Sequence, residues 1–182
     1  KADDVCTLIY TSGTTGDPKA VMITHDNLTW TARTALTAVG GDSNDRILSY
    51  LPFSHIAEQA VALHGPIHMG SCTYFAESMD ALGDNLKEVR PTLFLGVPRV
   101  WEKIQAKMQA TAKGNSGLRT KLVAWAKEQG LKGGYAMQKG KEPGLQYRLA
   151  DKVIFSKVRE ALGLDQCRLQ ITSAAPISKS TL

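Results

Sequence analysis

Short apolar runs alternate with longer amphipathic stretches along this 182-residue chain, and this alternation restricts the fold more than any other feature. The runs have the length and β-branched content of strands, and the stretches between them repeat apolar residues at helical spacing. Strands are predicted at 5–10, 20–24, 46–52, 72–76, 92–98 and 167–176. Helices are predicted at 25–39, 54–70, 79–89, 98–112, 118–129 and 145–162. Such alternation is typical of βαβ units, so we expect an α/β fold with a mainly parallel sheet covered by helices on both faces.

Local residue types add detail to these predicted strands and helices. The first strand is expected to be buried, and Asp26 or Asn27 is expected to cap the first helix. Ser54 is expected to open the second helix, which the Gly-Pro pair at 65–66 can interrupt. The Gly- and Lys-rich stretch 130–144 is predicted to be a surface loop.

Composition excludes several classes of protein. Every apolar run is shorter than the roughly 18–20 residues that a membrane span needs, and the start does not resemble a signal peptide. The cysteines, Cys6, Cys72 and Cys167, are isolated, so the sequence predicts neither a zinc site nor a disulfide framework. We expect buried thiols in a reducing compartment and a cytoplasmic protein. Because the chain begins with Lys1 rather than Met, we also expect a piece of something longer.

The net charge of +5 is unevenly distributed. Residues 1–98 carry 6 Lys/Arg and 11 Asp/Glu, whereas residues 99–182 carry 16 Lys/Arg and 6 Asp/Glu. Two interpretations remain open: solvated Lys-rich helix faces, or attraction to anionic lipid or a phosphorylated substrate. The second predicts peripheral contact with an endomembrane. Nucleic acid is not expected as a partner, because aromatic residues do not interleave with the basic ones.

The stretch YTSGTTGDPKAV, residues 10–21, directly follows the first predicted strand. Gly13 and Gly16 permit close approach of the backbone to a ligand, and Lys19 supplies a mobile positive charge. Hydroxyl donors are added by Thr11, Ser12, Thr14 and Thr15. The spacing is not that of G-x-x-x-x-G-K-[ST], but the donors and the cation suit a polyphosphate. The alternative is a flexible Ser/Thr/Gly linker.

Three predicted loops follow strands of the expected sheet: 11–19, 52–55 and 173–176. Ligands of mainly parallel sheets bind beyond the carboxyl ends of the strands. We therefore expect these loops to share one rim, which is the candidate site.

The segment YTSGTTGDPK resembles the phosphate loop of the adenylate-forming superfamily, which includes acyl-CoA synthetases, luciferases and peptide-synthetase adenylation domains. Further segments follow in the family's order: SYLPFSHIAEQ (49–59), VRPTLFLGVPRVWEKI (89–104) and SAAPIS (173–178). They are similar to segments of long-chain acyl-CoA synthetases, and GVPRVWEKI is most similar to the bubblegum-type branch. The resemblance spans nearly the whole chain.

The resemblance implies a two-step ligase reaction. The carboxylate of a long-chain fatty acid attacks the α-phosphorus of ATP, and coenzyme A then displaces AMP from the acyl-adenylate. The protein contributes orientation and charge neutralisation rather than covalent catalysis. Magnesium, a hard cation with oxygen ligands, would bridge phosphate oxygens.

The resemblance also implies roles for individual residues. The β- and γ-phosphates would be held by Thr11, Ser12, Gly13, Thr14, Thr15, Gly16, Asp17, Pro18 and Lys19. Thr11 is implied as one magnesium ligand, and Lys19 and His55 are implied as catalytic residues. His55 matches a position between the nucleotide and acyl sites that changes orientation between the two steps. A wall of small residues against adenine is implied at Ser173, Ala174, Ala175 and Pro176.

Two positions carry open alternatives. Gly96 and Trp101 match the fatty-acyl site, but a Trp on a helix that faces apolar neighbours is equally compatible with a core position. Ala20 stands where the family usually has Gly. If that residue needs a positive φ, an alanine costs on the order of 1 kcal/mol and lowers activity; otherwise the backbone there is ordinary.

The family's downstream segments are expected but do not occur in this sequence: the Tyr-Gly-x-[ST]-Glu segment, the ribose-binding Asp, the hinge and the lysine of the mobile C-terminal domain. Residues 1–182 are therefore interpreted as a central portion of the large domain, without the C-terminal domain and inactive alone. The alternatives are an adenylate-forming enzyme for another carboxylate and a non-catalytic nucleotide-binding relative, for which Ala20 is the only hint. The oligomeric state is not predicted.

Overall fold

The computed structural model describes residues 1–11, 16–113, 117–178 and 181. The chain divides into two compact units. Unit 1 comprises Lys1–Phe94 and Gln166–Leu169, and unit 2 comprises Leu95–Asp165 and Gln170–Leu182.

The described residues form two sheets. The strands of the first are β1 (Val5–Thr11) and β2 (Lys19–Thr24), which pair as an antiparallel hairpin. The second sheet has the order β4-β3-β5-β6, and its strands are β3 (Arg46–Ser49), β4 (Cys72–Phe75), β5 (Leu93–Gly96) and β6 (Leu169–Thr172). Strand β3 runs parallel to β4 and to β5. The expected α/β fold with a mainly parallel sheet is confirmed.

Helices occupy most of the segments between the strands. Unit 1 contains α1 (His25–Val39), α2 (Ile56–Glu58), a π-helical turn (Gln59–His64), α3 (Gly65–Met69) and α4 (Leu82–Val89). Unit 2 contains α5 (Pro98–Lys113), α6 (Leu118–Gln138), α7 (Leu145–Ala150), a second π-helical turn (Asp151–Phe155) and α8 (Ser156–Leu162). Within the described part of the chain, none of these helices is long and apolar enough to cross a bilayer.

The hairpin corrects two predictions. Strand β1 is not buried, because Leu8 is 48% exposed and Tyr10 is 65% exposed. The loop between β1 and β2 connects two strands of the hairpin, which is a separate sheet. It therefore does not follow a strand of the parallel sheet, whereas loop 52–55 follows β3. The physical reason is loop length: Thr11 and Lys19 are separated by 7 residues, whereas a parallel connection needs about a dozen or more.

Helix α1 begins with a reciprocal cap that differs from the prediction. Thr24, rather than Asp26 or Asn27, is the N-cap, and its hydroxyl accepts from the backbone N–H of Asn27 at 3.2 Å. The side chain of Asn27 accepts in return from the N–H of Thr24 at 3.1 Å. The helix ends as predicted at Gly40, whose φ of 62° lies in the left-handed region that favours glycine.

The helix after β3 runs without a break from residue 56 to 69, so neither the predicted opening at Ser54 nor the predicted interruption occurs. Its N-cap is His55. In a regular α-helix Pro66 would leave the carbonyl of Ala62 without a donor. The hydroxyl of Thr73 in β4 donates to that carbonyl at 2.8 Å, which satisfies it from outside the helix.

The predicted surface loop 130–144 is wrong over most of its length, because α6 continues to Gln138. Two of its glycines, Gly130 and Gly133, allow close packing rather than a turn. A Cβ at Gly133 would overlap the ring of Tyr147, and one at Gly130 would lie 3.1 Å from Phe155. Tyr147 and Phe155 also contact each other, with ring centroids 5.9 Å apart, within the range of about 4.5–7 Å that aromatic pairs prefer.

An ionic network joins the amino ends of the parallel strands in unit 1. Asp45 directly precedes β3 and is 4% exposed. Its carboxylate accepts from Arg168 at 2.7 Å and from the Thr92 hydroxyl at 2.6 Å. The Thr92 hydroxyl in turn accepts from the N–H of Arg46 at 2.9 Å, and the carbonyl of Asp45 accepts from the N–H of Cys72 at 3.0 Å. The network therefore touches the start of every strand of this sheet.

The three cysteines are free thiols. The expected burial of all three thiols is not found, because Cys6 and Cys167 are only partly buried. Cys72 is exposed, whereas burial raises the pKa of Cys167 to about 11 and keeps that thiol protonated at neutral pH.

Candidate functional site

The base of the candidate phosphate loop is a strand pair. Thr11 and Lys19 are partners across the hairpin, and the Thr11 hydroxyl donates to the carbonyl of Lys19 at 3.3 Å. Four of the predicted loop residues lie outside the described part of the chain: Ser12, Gly13, Thr14 and Thr15. The described remainder of the loop is exposed at Gly16, Asp17 and Pro18, as are Thr11 and Lys19 themselves. The hairpin thus holds the start and the end of the loop side by side and leaves its cation open to a ligand.

Ala20 has an ordinary backbone conformation. It lies in β2, where it pairs with Tyr10 in the regular antiparallel ladder. The non-glycine residues with positive φ among the described positions are Arg90 and Ala174. Ala20 does not need a glycine-like φ, so the backbone strain considered for this position does not arise. The alanine therefore no longer favours a non-catalytic relative.

His55 lies in the turn between β3 and α2, at the N-cap of the helix. Its backbone N–H donates to the carbonyl of Pro52 at 3.0 Å, and its carbonyl accepts from the N–H groups of Glu58 and Gln59 at 3.1 and 3.2 Å. Its side chain makes no capping hydrogen bond and is exposed. The backbone of His55 is therefore fixed from both sides while its imidazole stays accessible.

Glu58 is a candidate that sequence reasoning missed. It is 3% exposed, and its Oε1 accepts from the Ser49 hydroxyl at 2.5 Å and from the N–H of Tyr50 at 3.1 Å. These contacts tie the first turn of the helix to the carboxyl end of β3. A signal was present in the sequence, because Glu58 falls on the same helical stripe as the buried residues Ala62 and Gly65.

In unit 2 the structure brings together Gly96 and Trp101, the two residues matched to the acyl site. The indole N–H of Trp101 lies 2.9 Å from the carbonyl of Gly96 and 3.3 Å from that of Ile171. A Cβ at Gly96 would lie 2.5 Å from the indole, so only glycine permits this approach. A cavity of about 160 Å³ adjoins the ring and is lined by Trp101, Gln170, Ile171, Thr172, Ile177 and Thr181. The assignment of Trp101 to the acyl site stays a prediction.

The small residues matched to the adenine wall directly follow β6, and all four are exposed: Ser173, Ala174, Ala175 and Pro176. Ala174 has a φ of 76°, in a region that L-residues other than Asn and Asp rarely adopt. Residues in such conformations cluster at ligand sites, where surrounding structure holds them. The contact with adenine stays a prediction.

Comparison with known proteins fixes the family. The model of the AMP-binding enzyme family matches residues 1–182. The chain belongs to this family. It is 47% identical to the long-chain-fatty-acid–CoA ligase ACSBG2 of Xenopus laevis over 100% of this chain and 26% of the relative. It is 43% identical to the human ligase of the same name, again over 100% of this chain and 28% of the relative. The resemblance to bubblegum-type synthetases is confirmed, and the chain spans about a quarter of these relatives' length.

Solved structures agree on the fold of this AMP-binding chain. The adenylation domain of a carboxylate reductase from Mycobacterium chelonae covers 99% of it with a TM-score of 0.68 at 22% identity, over 24% of that chain. The O-succinylbenzoate coenzyme A synthetase of Bacillus subtilis, solved in complex with AMP, covers 59% of it with a TM-score of 0.54 at 27% identity, over 22% of that chain. The first likeness supports the fold of an adenylation domain.

Proposed function

We propose that the protein to which this chain belongs is a long-chain fatty acid–CoA ligase that uses ATP. The observation that carries the proposal is identity of 40–47% with ligases of this name, maintained over 97–100% of the chain. We also propose that residues 1–182 form a central portion of the large domain, and their match to about a quarter of those relatives' length is compatible with such a portion.

The reaction has two displacements. In the first, a carboxylate oxygen of the fatty acid bonds to the α-phosphorus of ATP, the bond to the bridging oxygen breaks, and pyrophosphate leaves. In the second, the thiol sulfur of coenzyme A bonds to the acyl carbon, its proton is lost, and AMP leaves. Both steps depend on holding charged groups close together, which favours preorganised donors and cations over a covalent nucleophile.

The hairpin loop is proposed to bind the β- and γ-phosphates. Lys19 is exposed at its base and supplies positive charge, while Thr11 lies opposite it. The Thr11 hydroxyl uses its proton toward the carbonyl of Lys19, so its oxygen lone pairs suit a hard cation. Magnesium, when bound, would supply further neutralisation of the phosphate oxygens.

His55 is proposed to act where the nucleotide and the acyl group meet. Its exposed imidazole at the end of a helix-capping turn can donate to or accept from a reacting oxygen.

Coenzyme A is proposed as the second substrate. An adenylate-forming enzyme for another carboxylate is the alternative, and a panel of acids of increasing chain length distinguishes the two.

The role of Lys19 is tested in the full-length enzyme. Lys19→Ala should lower kcat/KM for ATP about 10- to 100-fold, the effect of losing a charge-assisted hydrogen bond, and leave fatty-acid binding unchanged. Steady-state kinetics with varied ATP measure this. Lys87→Ala is the matched control, because Lys87 makes only a surface ion pair with Asp84 at 2.9 Å. Unchanged kinetics in Lys19→Ala would exclude the proposed role.

Peripheral contact with an anionic membrane surface is proposed for unit 2, on a cytosolic face. Helix α6 exposes Lys121, Lys127 and Lys132 beside the exposed side chains of Leu122 and Leu131. Charge and apolar area together favour an interface with lipid. The full-length protein should sediment with phosphatidylserine vesicles at about 0.1 M salt and be released at about 0.5 M, since salt screens exposed charges. Equal binding to phosphatidylcholine vesicles would contradict an electrostatic contact.

A further inference from the structure

The carboxylate of Glu58 lies beneath the turn that presents His55. We propose that Glu58 is a positioning residue for His55, and the proposal rests on the proposed role of His55 in catalysis. Glu58 itself is buried. It acts by holding the helix start against the end of β3.

The burial of this carboxylate is the first step of the argument. An ionised carboxylate loses favourable hydration when it is buried, so proteins retain one only where hydrogen bonds compensate. The hydrogen bonds that Oε1 of Glu58 accepts come from neutral donors, the Ser49 hydroxyl and the N–H of Tyr50. A leucine in this place would leave the Ser49 hydroxyl and the N–H of Tyr50 without this acceptor, so the carboxylate ties the helix to the strand in a way that an apolar side chain cannot.

The second step is the path from Glu58 to His55. The two residues occupy one helical turn, and the N–H of Glu58 donates to the carbonyl of His55 at 3.1 Å. From the other side, the N–H of His55 donates to the carbonyl of Pro52. The adjacent Gln59 adds a third tie, because its Nε2 donates to the carbonyl of Phe53 at 2.6 Å. Movement of Glu58 therefore displaces the residue that carries the imidazole.

Another strand–helix turn of unit 1 supplies a matched control. Asn85 in α4 is 9% exposed, and its Oδ1 accepts from the N–H of Glu77, just beyond the end of β4. Asn85 thus ties a helix to the segment after a strand in the same way as Glu58. It does so in a different turn, which contains none of the predicted site residues.

The experiment uses the full-length enzyme with Glu58→Ala, Glu58→Gln, Asn85→Ala and His55→Ala. Glu58→Ala should lower kcat about 10- to 100-fold with an unchanged KM for ATP, because small displacements of a catalytic group cost rate rather than nucleotide binding. Glu58→Gln keeps an Oε1 acceptor and should retain kcat within about threefold. Asn85→Ala should lower the thermal midpoint as much as Glu58→Ala and keep kcat.

A double mutant decides whether the effect passes through His55. In the His55→Ala background, Glu58→Ala should change kcat less than about twofold, because residues that act as one unit are not additive. Full additivity overturns the proposal. A parent rate in His55→Ala overturns the role of His55 and the proposal with it, whereas a loss in His55→Ala without one in Glu58→Ala overturns the proposal alone.

A readout independent of activity separates this proposal from the ligase assignment. With ¹³C-labelled histidine, the Cε1–H signal of His55, assigned by its loss in His55→Asn, should be single and narrow in the parent. It should broaden or split in Glu58→Ala and stay as in the parent in Asn85→Ala. An unchanged His55 signal in Glu58→Ala overturns the proposal whatever reaction the protein catalyses.

Discussion

Two buried carboxylates flank the same short strand, and their environments differ. Asp45 precedes β3 and is 4% exposed, and Glu58, 3% exposed, binds its other end. Asp45 accepts from the guanidinium of Arg168 and from a hydroxyl, so it forms a partly buried ion pair. The hydrogen bonds that reach Oε1 of Glu58 come from Ser49 and the N–H of Tyr50. Equal burial therefore accompanies an ionic network at one end and hydrogen bonds from uncharged donors at the other.

The difference follows the polarity of the strand. In α/β proteins the carboxyl ends of strands carry ligands, whereas the amino ends need only hold the sheet together. The network of Asp45 touches the start of each strand, which suits a role in stability. The hydrogen bonds of Glu58 fix one turn that carries an exposed imidazole, which suits a role in function. We expect substitutions at the two ends to affect different measurements.

The largest expected effect is on stability at the amino end. Asp45→Ala should destabilise unit 1 by about 2–4 kcal/mol, because it leaves the Arg168 guanidinium and a hydroxyl without their buried acceptor. Hydrogen exchange of the full-length protein measures this through the amides of Arg46 and Cys72, which lie at the starts of β3 and β4. Both should exchange faster.

The control for Asp45→Ala is Asp84→Ala. The side chain of Asp84 is 86% exposed, and its ion pair with Lys87 lies on the surface, so its removal should leave exchange nearly unchanged. Should Asp45→Ala exchange like the parent and lower kcat instead, the division between the two ends would be wrong.

A smaller effect is expected from pH. Burial by itself raises the pKa of Asp45, but hydrogen bonds from Arg168 and Thr92 outweigh it, and the pKa lies below the ordinary 3.8. A carboxyl whose folded pKa is lowered adds stability that is present above its unfolded pKa and lost as the pH falls through the folded pKa. The gap in thermal midpoint between the parent and Asp45→Asn should be constant above about pH 5 and shrink below about pH 4. A gap that widens on acidification would contradict this.

Much of the fold was predictable because it depends on periodicity. The strands at 46–52, 72–76 and 92–98 were recovered with shortened ends, since apolar runs of this length between helical patterns leave few alternatives. The loop around Lys19 was singled out by its residue types and the turn around His55 by its match to the family, and the roles of both stay predictions. The hairpin was missed as a hairpin, although the length of its loop already excluded a parallel connection.

Other features depend on contacts that no local pattern records. Residues 130–138 have the composition of a loop. The lack of a side chain at Gly130 and Gly133 instead leaves room for aromatic rings that pack against the helix. Helix 56–69 continues through Pro66 after a π-helical turn, and the hydroxyl of Thr73 in β4 donates to the carbonyl of Ala62 in that turn. The helical stripe of Glu58 indicates burial, but its hydrogen bonds to Ser49 and Tyr50 become apparent only in the structure. In each case the deciding partner is distant in sequence or belongs to another element.

The smallest effects are expected from removing the hydroxyl that donates to each carboxylate. These hydroxyls belong to Thr92 at Asp45 and to Ser49 at Glu58. Thr92 donates to Asp45 at 2.6 Å and also accepts from the N–H of Arg46, so Thr92→Val removes two hydrogen bonds without changing shape. We expect a loss of about 1–2 kcal/mol by hydrogen exchange and an unchanged kcat. Ser49 donates to Glu58 at 2.5 Å, but the N–H of Tyr50 remains when Ser49 is replaced. Ser49→Ala should therefore cost about 1 kcal/mol or less and lower kcat no more than about threefold.

The order of these two variants is the informative quantity. Stability should fall more in Thr92→Val, and kcat should fall more in Ser49→Ala, because one hydroxyl belongs to the network and the other to the turn of His55. Equal stability losses accompanied by equal kcat values would show that the two ends of β3 are held in the same way. The direction of the strand would then have no bearing on what its buried carboxylates do.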